Sequence, residues 1–282
     1  MSPAVKTVCD LAAKKAAGEK ITMLTAHDAA FGALVDRAGV DLVLVGDSLG
    51  MVALGYDSTV PVTMDEMIHH ARAVRRGVKE ALLVGDMPFL SYQVGEWDAI
   101  INAGRFLKEA GCAAVKLEGG AEVAPLVAAV VRAGIPVLGH IGLTPQTAGQ
   151  LGGYKVQGKD AESAAKLEHD ARALEAAGAS ALVLECVPAL LAKRISAEMK
   201  IPTIGIGAGP YCDGQVLVSH DLLGLFRGFT PKFAKQYALL ADQADQALAA
   251  FRREVNSGEF PAAEHSFGSL VEEKEAPADK KA

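Results

Sequence analysis

The stretch Asp36–Ser48 reads DRAGVDLVLVGDS. A helix-forming segment stops at Ala-Gly, an apolar run follows, and a polar pair closes it. The glycine suits a left-handed helix cap. The run Leu42–Val45 shows no polar alternation, which is how a strand buried on both faces reads. The unit returns as KEAGCAAVKLEGG at Lys108–Gly120, RAGIPVLGHIG at Arg132–Gly142 and EAAGASALVLECVP at Glu175–Pro188.

Working outward from it, strands are expected near Ile21–Thr25, Leu42–Gly46, Leu82–Gly85, Ala114–Leu117, Pro136–Gly139, Ala181–Leu184 and Thr203–Ile206, with a weaker one near Gly214–Ser219. Helices are expected over Trp97–Ala110, Glu122–Ala133 and Ala161–Ala177, and Thr63–Glu66 reads as a capping box. Alternating strands and helices argue for a parallel α/β fold. A (β/α)8 TIM barrel is preferred to an open doubly wound sheet, because no Gly-x-Gly-x-x-Gly follows the first strand. Gly205–Gly209 is either a ligand-facing turn or a plain tight one. A trailing helix is expected over Phe233–Val255. The barrel and this helix make one domain over residues 1–268, and 269–282, rich in Glu, Lys, Ala and Pro, reads as a disordered tail.

Composition agrees. Half of the 282 residues are hydrophobic but only 5% are aromatic, so a large core must be built from Ala, Val, Leu and Ile. A net charge of −6 implies no basic face, which disfavours a nucleic-acid partner. No apolar run approaches the ~18 residues of a membrane span. Met1–Lys20 is broken by Lys6, Asp10, Lys14 and Lys15, so no secretory signal is read there. Four scattered cysteines without a C-x-x-C pair fit a reduced, cytoplasmic setting, with Cys112 and Cys186 as small core residues.

In barrels the chemistry gathers at the carboxyl ends of the strands. Those positions here are Asp47 and Ser48, Asp86, Lys116 with Glu118, His140, and Glu185. One acid after a strand is often only a helix cap; five consecutive strands delivering titratable groups to one rim read as a site. Asp47, Asp86 and Glu118 are hard oxygen donors that suit Mg2+, and no zinc-spaced Cys/His cluster competes. A magnesium shell left open can chelate a 2-oxo acid and stabilise the enolate formed by loss of a neighbouring proton. Lys116 either balances negative charge on the substrate or pairs with Glu118 on the same strand face. Glu185 is flanked by Leu182, Val183, Leu184, Cys186 and Val187. Such surroundings disfavour its charged form, which suits a proton acceptor; the alternative is a buried acid paired to Lys or Arg. His140 reads as a substrate contact or a core histidine, Ser48 as a substrate contact or a helix cap, and His69 and His70 as surface residues.

VGDSLGM at Val45–Met51, GYDSTVPVT at Gly55–Thr63, VKLEGG at Val115–Gly120, GHIGLTPQ at Gly139–Gln146, GGYKVQG at Gly152–Gly158, LECVP at Leu184–Pro188 and IGIGAG at Ile204–Gly209 occur in one order. Together with PKFAK at Pro231–Lys235 and HSF at His265–Phe267, the set resembles the ketopantoate hydroxymethyltransferase family over about residues 21–267. The resemblance implies a barrel of the phosphoenolpyruvate/pyruvate superfamily. It also implies transfer of a one-carbon unit from 5,10-methylenetetrahydrofolate to 3-methyl-2-oxobutanoate, giving 2-dehydropantoate in pantothenate biosynthesis. It further implies a cytoplasmic, magnesium-dependent homo-oligomer, commonly a decamer built as a pentamer of dimers, with the C-terminal helix against a neighbouring subunit. Metal ligands then fall on Asp47, Asp86 and Glu118, the last through water. Substrate contacts fall on Asp47, Ser48, Asp86, Lys116 and His140, and the proton acceptor falls on Glu185. His27 stands where many relatives resemble TAYD with a tyrosine, and the extension beyond Phe267 lies outside the pattern. Two rivals remain: a metal-dependent lyase of the same barrel type that needs no folate, and a catalytically silent binding protein.

Overall fold

The computed structural model describes residues 5–268. The stretch 269–282, read above as a tail, lies outside the described residues. Helix α1 (Val8–Ala17) precedes β1 (Ile21–Thr25). Then follow α2 (Ala29–Arg37), β2 (Leu42–Val45), the short α3 (Leu49–Val52), α4 (Met64–Gly77), β3 (Leu82–Asp86), α5 (Glu96–Ala110) and β4 (Ala114–Glu118). The second half runs α6 (Ala124–Arg132), β5 (Val137–Gly142), α7 (Ala161–Ala176), β6 (Ala181–Glu185), α8 (Ala189–Glu198), β7 (Thr203–Ile206), β8 (Gly214–Leu217), α9 (Ser219–Leu222) and α10 (Leu240–Ser257). All eight strands are parallel, and β8 pairs with β1 to close the barrel.

Period-two alternation sorts the apolar runs into two cores. Val43, Val45, Val115, Leu117, Leu182 and Leu184 point outward and pack under the helices. Leu42, Leu44, Leu82, Val84, Ala114, Leu138, Ala181 and Val183 fill the barrel interior. Leu11 of α1 joins that inner cluster and is fully buried, so α1 seals the end where the strands begin. At the same end Asp41 binds Lys14 at 2.7 Å and Lys6 at 3.1 Å, and accepts from the Thr22 N–H at 2.9 Å.

The capping box forms as expected: Glu66 accepts from the Thr63 N–H at 2.7 Å, and Thr63 Oγ1 accepts from the Glu66 N–H at 3.2 Å. Several boundaries differ from the sequence reading. The helix expected from Glu122 opens as a 3-10 turn, Ala121–Val123, before α6, whose first turn holds Pro125. The trailing helix starts at Leu240 rather than Phe233. Its expected first turns are tied to the barrel instead: the Phe233 ring covers Gly207, and the Tyr237 N–H donates to Leu222 O at 2.8 Å. Gly205–Gly209 is a packed turn. Gly207 and Gly209 both take left-handed φ, and a Cβ at Gly209 would lie 2.4 Å from Ala189 Cβ. The chain then returns to β8 without an intervening helix. Cys112 is buried as expected, whereas Cys186 is half-buried, with a left-handed φ of 48°.

Candidate active site

The inward-facing rows that are apolar lower in the barrel turn polar at the rim. Val84 is followed two residues on by Asp86, Ala114 by Lys116 and then Glu118, Leu138 by His140, and Val183 by Glu185. Because the side-chain period is two, each of these points into the same mouth. Strand register then sets them at matching heights, with Asp86 opposite Lys116, Glu118 opposite His140, and Gly142 opposite Glu185. Asp47 joins them just past β2, and its N–H donates to Asp86 Oδ2 at 3.1 Å.

Lys116 sits at the centre of this cluster. Its Nζ lies 2.8 Å from Asp86 Oδ1, 3.7 Å from Glu118 Oε1 and 3.2 Å from His140 Nδ1. Both readings of Lys116 therefore remain compatible: it pairs with acids and also faces the mouth. Burial works against its ammonium, but Asp86, Glu118 and Asp47 outweigh that and hold it protonated. Asp47 is pushed well above the usual carboxylate range by burial and by the charges of Asp86 and Glu118. Burial also raises Asp86, with Lys116 acting in the opposite direction. For Glu118, burial is outweighed by His140, Lys116 and the Gln146 N–H, so its carboxyl is held low.

His140 is neither exposed nor an isolated core histidine. Its Nδ1 is 3.4 Å from Glu118 Oε1, and its Nε2 is 3.2 Å from Glu185 Oε2. Burial and Lys116 both oppose its protonation, yet the two carboxylates prevail and raise it to about 9. Glu185 is not sealed in apolar surroundings, because its leucine neighbours face outward. The side chain keeps 15% exposure and is paired to a histidine rather than to Lys or Arg. Ser48 precedes α3 without a side-chain capping bond, so its hydroxyl is not used as a cap.

Two residues at the site were not singled out from sequence. Gln146 Nε2 donates to Asp47 Oδ2 at 3.0 Å and to Met87 O at 2.9 Å, while its N–H donates to Glu118 Oε2 at 3.1 Å. Tyr92 donates to Gln146 Oε1 at 2.8 Å and accepts from the Glu118 N–H at 3.1 Å. Gln146 ends the quoted motif GHIGLTPQ, which was the available signal; Tyr92 had none. His27 is buried beyond β1, 5.2 Å ring to ring from His220, with both ring nitrogens unpartnered. Burial, reinforced by the nearby His220 and His70, lowers it to about 3. His69 is exposed as expected, but His70 is half-buried, its Nδ1 2.6 Å from His27 O.

Among the described residues no three His, Cys, Asp or Glu side chains stand together so as to hold a metal ion between them. What the mouth offers instead is an open set of buried carboxylate oxygens with more negative charge than Lys116 alone offsets.

The family model for ketopantoate hydroxymethyltransferase matches residues 5–263. A 3-methyl-2-oxobutanoate hydroxymethyltransferase from Desulfotalea psychrophila is 62% identical over 269 residues, covering 95% of this chain and 96% of that protein. Among solved structures, a phosphonopyruvate hydrolase complexed with oxalate and Mg++ aligns at TM-score 0.60 and 15% identity over 93% of each chain. A 2,3-dimethylmalate lyase, a PEP mutase/isocitrate lyase superfamily member, aligns at TM-score 0.55 and 16% identity over 98% of this chain and 93% of that one. At such identity these two likenesses speak for the barrel alone. Family match and close relative both span nearly the whole chain and take in every rim residue described above, so the chain belongs to the ketopantoate hydroxymethyltransferase family.

Proposed function

We propose that this chain transfers a hydroxymethyl group from 5,10-methylenetetrahydrofolate to 3-methyl-2-oxobutanoate, giving 2-dehydropantoate. The observation that carries the reading is the arrangement of Asp47, Asp86, Lys116, Glu118, His140 and Glu185 around one barrel mouth in a chain of this family. The barrel and its trailing helix act as one catalytic unit. A role in pantothenate biosynthesis and a cytoplasmic setting go with that activity. Among the described residues no helix is long and apolar enough to cross a membrane.

The donor set fits magnesium. Its oxygens are hard, and burial together with the neighbouring acids pushes Asp47 and Asp86 upward, surroundings that a further cation would suit. Asp47 and Asp86 would hold the ion, with Glu118 behind them through water. Bound there, magnesium would polarise the keto group of the substrate and stabilise the negative charge left when the C3 proton departs. Lys116 adds a fixed positive charge on the side of Asp86, where it balances the substrate carboxylate. Ser48 offers its hydroxyl to the same carboxylate. Glu185 accepts the C3 proton, and His140, 3.2 Å away, orients its carboxylate toward the substrate.

Self-association belongs to the same reading. Helix α10 has no buried residue, and Leu248, Phe251 and Val255 share one exposed face. Such a face calls for a second copy of the chain, in keeping with a decamer.

The direct test is formation of 2-dehydropantoate with and without the folate, and with and without Mg2+. Product formed without folate would sink the transfer; activity undiminished by a chelator would sink the metal. The proton step is isolated by following exchange of the substrate's C3 hydrogen in deuterated water. Glu185→Gln is expected to slow that exchange by about 10²–10⁴, and exchange at the wild-type rate would remove Glu185 from the role.

A further inference from the structure

Gln146 reaches the mouth from the connection between β5 and α7. The chain leaves β5 through Gly142, whose φ of +98° and whose place 2.2 Å from Glu185 O, measured to a Cβ built there, exclude other residues. Leu143 N–H then donates to Glu185 O at 2.8 Å. From that anchor the 3-10 turn Pro145–Thr147 sends Gln146 back inward, where it is buried.

The amide of Gln146 has one workable orientation. Nε2 faces two acceptors, Asp47 Oδ2 and Met87 O, and spends one proton on each. Turned over, Oε1 would face the Met87 carbonyl with no proton between them. Tyr92 reinforces the choice. Its hydroxyl already accepts from the Glu118 N–H, and the same hydroxyl oxygen, with one proton to give, lies 2.8 Å from Gln146 Oε1 and 3.0 Å from Glu118 O. The amide is also neutral, so it grips a carboxylate without adding charge to a crowded cluster. Among the described residues no donor is bonded to the other oxygen of Asp47, Oδ1.

We propose that Gln146, locked by Tyr92, is the positioning residue of the metal site: by occupying Oδ2 of Asp47 it keeps Oδ1 for the cation. This rests on the reading that Asp47 and Asp86 hold a divalent ion. Through its main-chain N–H the same residue steadies Glu118, so one turn sets the pose of two acids.

The test uses Mn2+ as probe, with the full-length, substrate-free protein and electron paramagnetic resonance. Wild type is expected to bind Mn2+ with a defined spectrum. Gln146→Met, close in size but unable to donate, is expected to bind about 10–100-fold more weakly and, at saturation, to show an altered zero-field splitting. Tyr92→Phe keeps the ring and its packing and releases only the lock; it is expected to give a mixture of the two spectra. Wild type failing to bind Mn2+ would overturn the metal reading and the inference with it. Binding by wild type with unchanged affinity in Gln146→Met would overturn the inference alone. Weaker binding with the wild-type spectrum would do so too, since a merely loosened fold lowers affinity without rearranging the ligands.

Discussion

Two buried charge clusters, one at each end of the barrel, show how neighbours decide what an aspartate does. At the mouth, three acids share Lys116, and Asp47 is driven upward by burial and by its acidic neighbours. At the sealed end, Asp41 stands alone among donors. Burial would raise it, but Lys14, the Thr22 N–H and Lys6 prevail and hold it at about 2. A folded-state value below the unfolded one means that the ionised carboxylate stabilises the fold above about pH 4. That contribution fades as pH falls through about 2. Asp41→Asn is therefore expected to cost about 2 kcal/mol at neutral pH, with the gap to wild type closing in acid. Urea unfolding followed across pH would check this; a gap that widens toward acid would contradict it.

Helix α1 lies outside the β/α repeat yet completes the barrel. Among the described residues its Leu11 is the one buried helical side chain in the inner core cluster, with the partly buried Val8 packed against it, and Leu11 has no exposed surface. Leu11→Ala is expected to destabilise the protein by about 2–5 kcal/mol through the cavity it leaves, read as a lower unfolding midpoint. The rim lies at the opposite end of the strands from α1 and should keep its C3 exchange rate at a temperature where the variant is folded. The elements also show what the sequence could display. Asp86, Lys116, His140 and Glu185 were legible because each continues an inward row by two residues, a local rule. Gln146 was not, since its meeting with Asp47, 99 positions away, exists only once the barrel has closed. Glu185 was misjudged in its surroundings for a related reason: flanking residues in a strand point to opposite faces, so apolar neighbours in sequence are not neighbours in space. The start of α10 was misplaced because Phe233 and Tyr237 serve the barrel, while their spacing also fits a helix.

At the scale of the molecule, the helices do not enclose the sheet evenly. β7 returns to β8 with no helix between them, and α10 carries an apolar face that the described residues leave exposed. The paired change Leu248→Glu and Phe251→Glu is expected to lower the particle mass measured by light scattering while leaving the circular dichroism of the barrel intact. An unchanged mass would separate α10 from assembly. The closure of β1 on β8 has a further consequence. Ile21 is opposite Gly214, so the first strand to leave the ribosome is completed by the last. A sheet of seven strands must wait unclosed while nearly the whole barrel is synthesised, and a chain halted before Gly214 leaves the outer edges of β1 and β7 open to any passing strand. The four residues Gly214–Leu217 thus act as a clasp in time as well as in space: nascent chains are most prone to aggregate just before these residues appear.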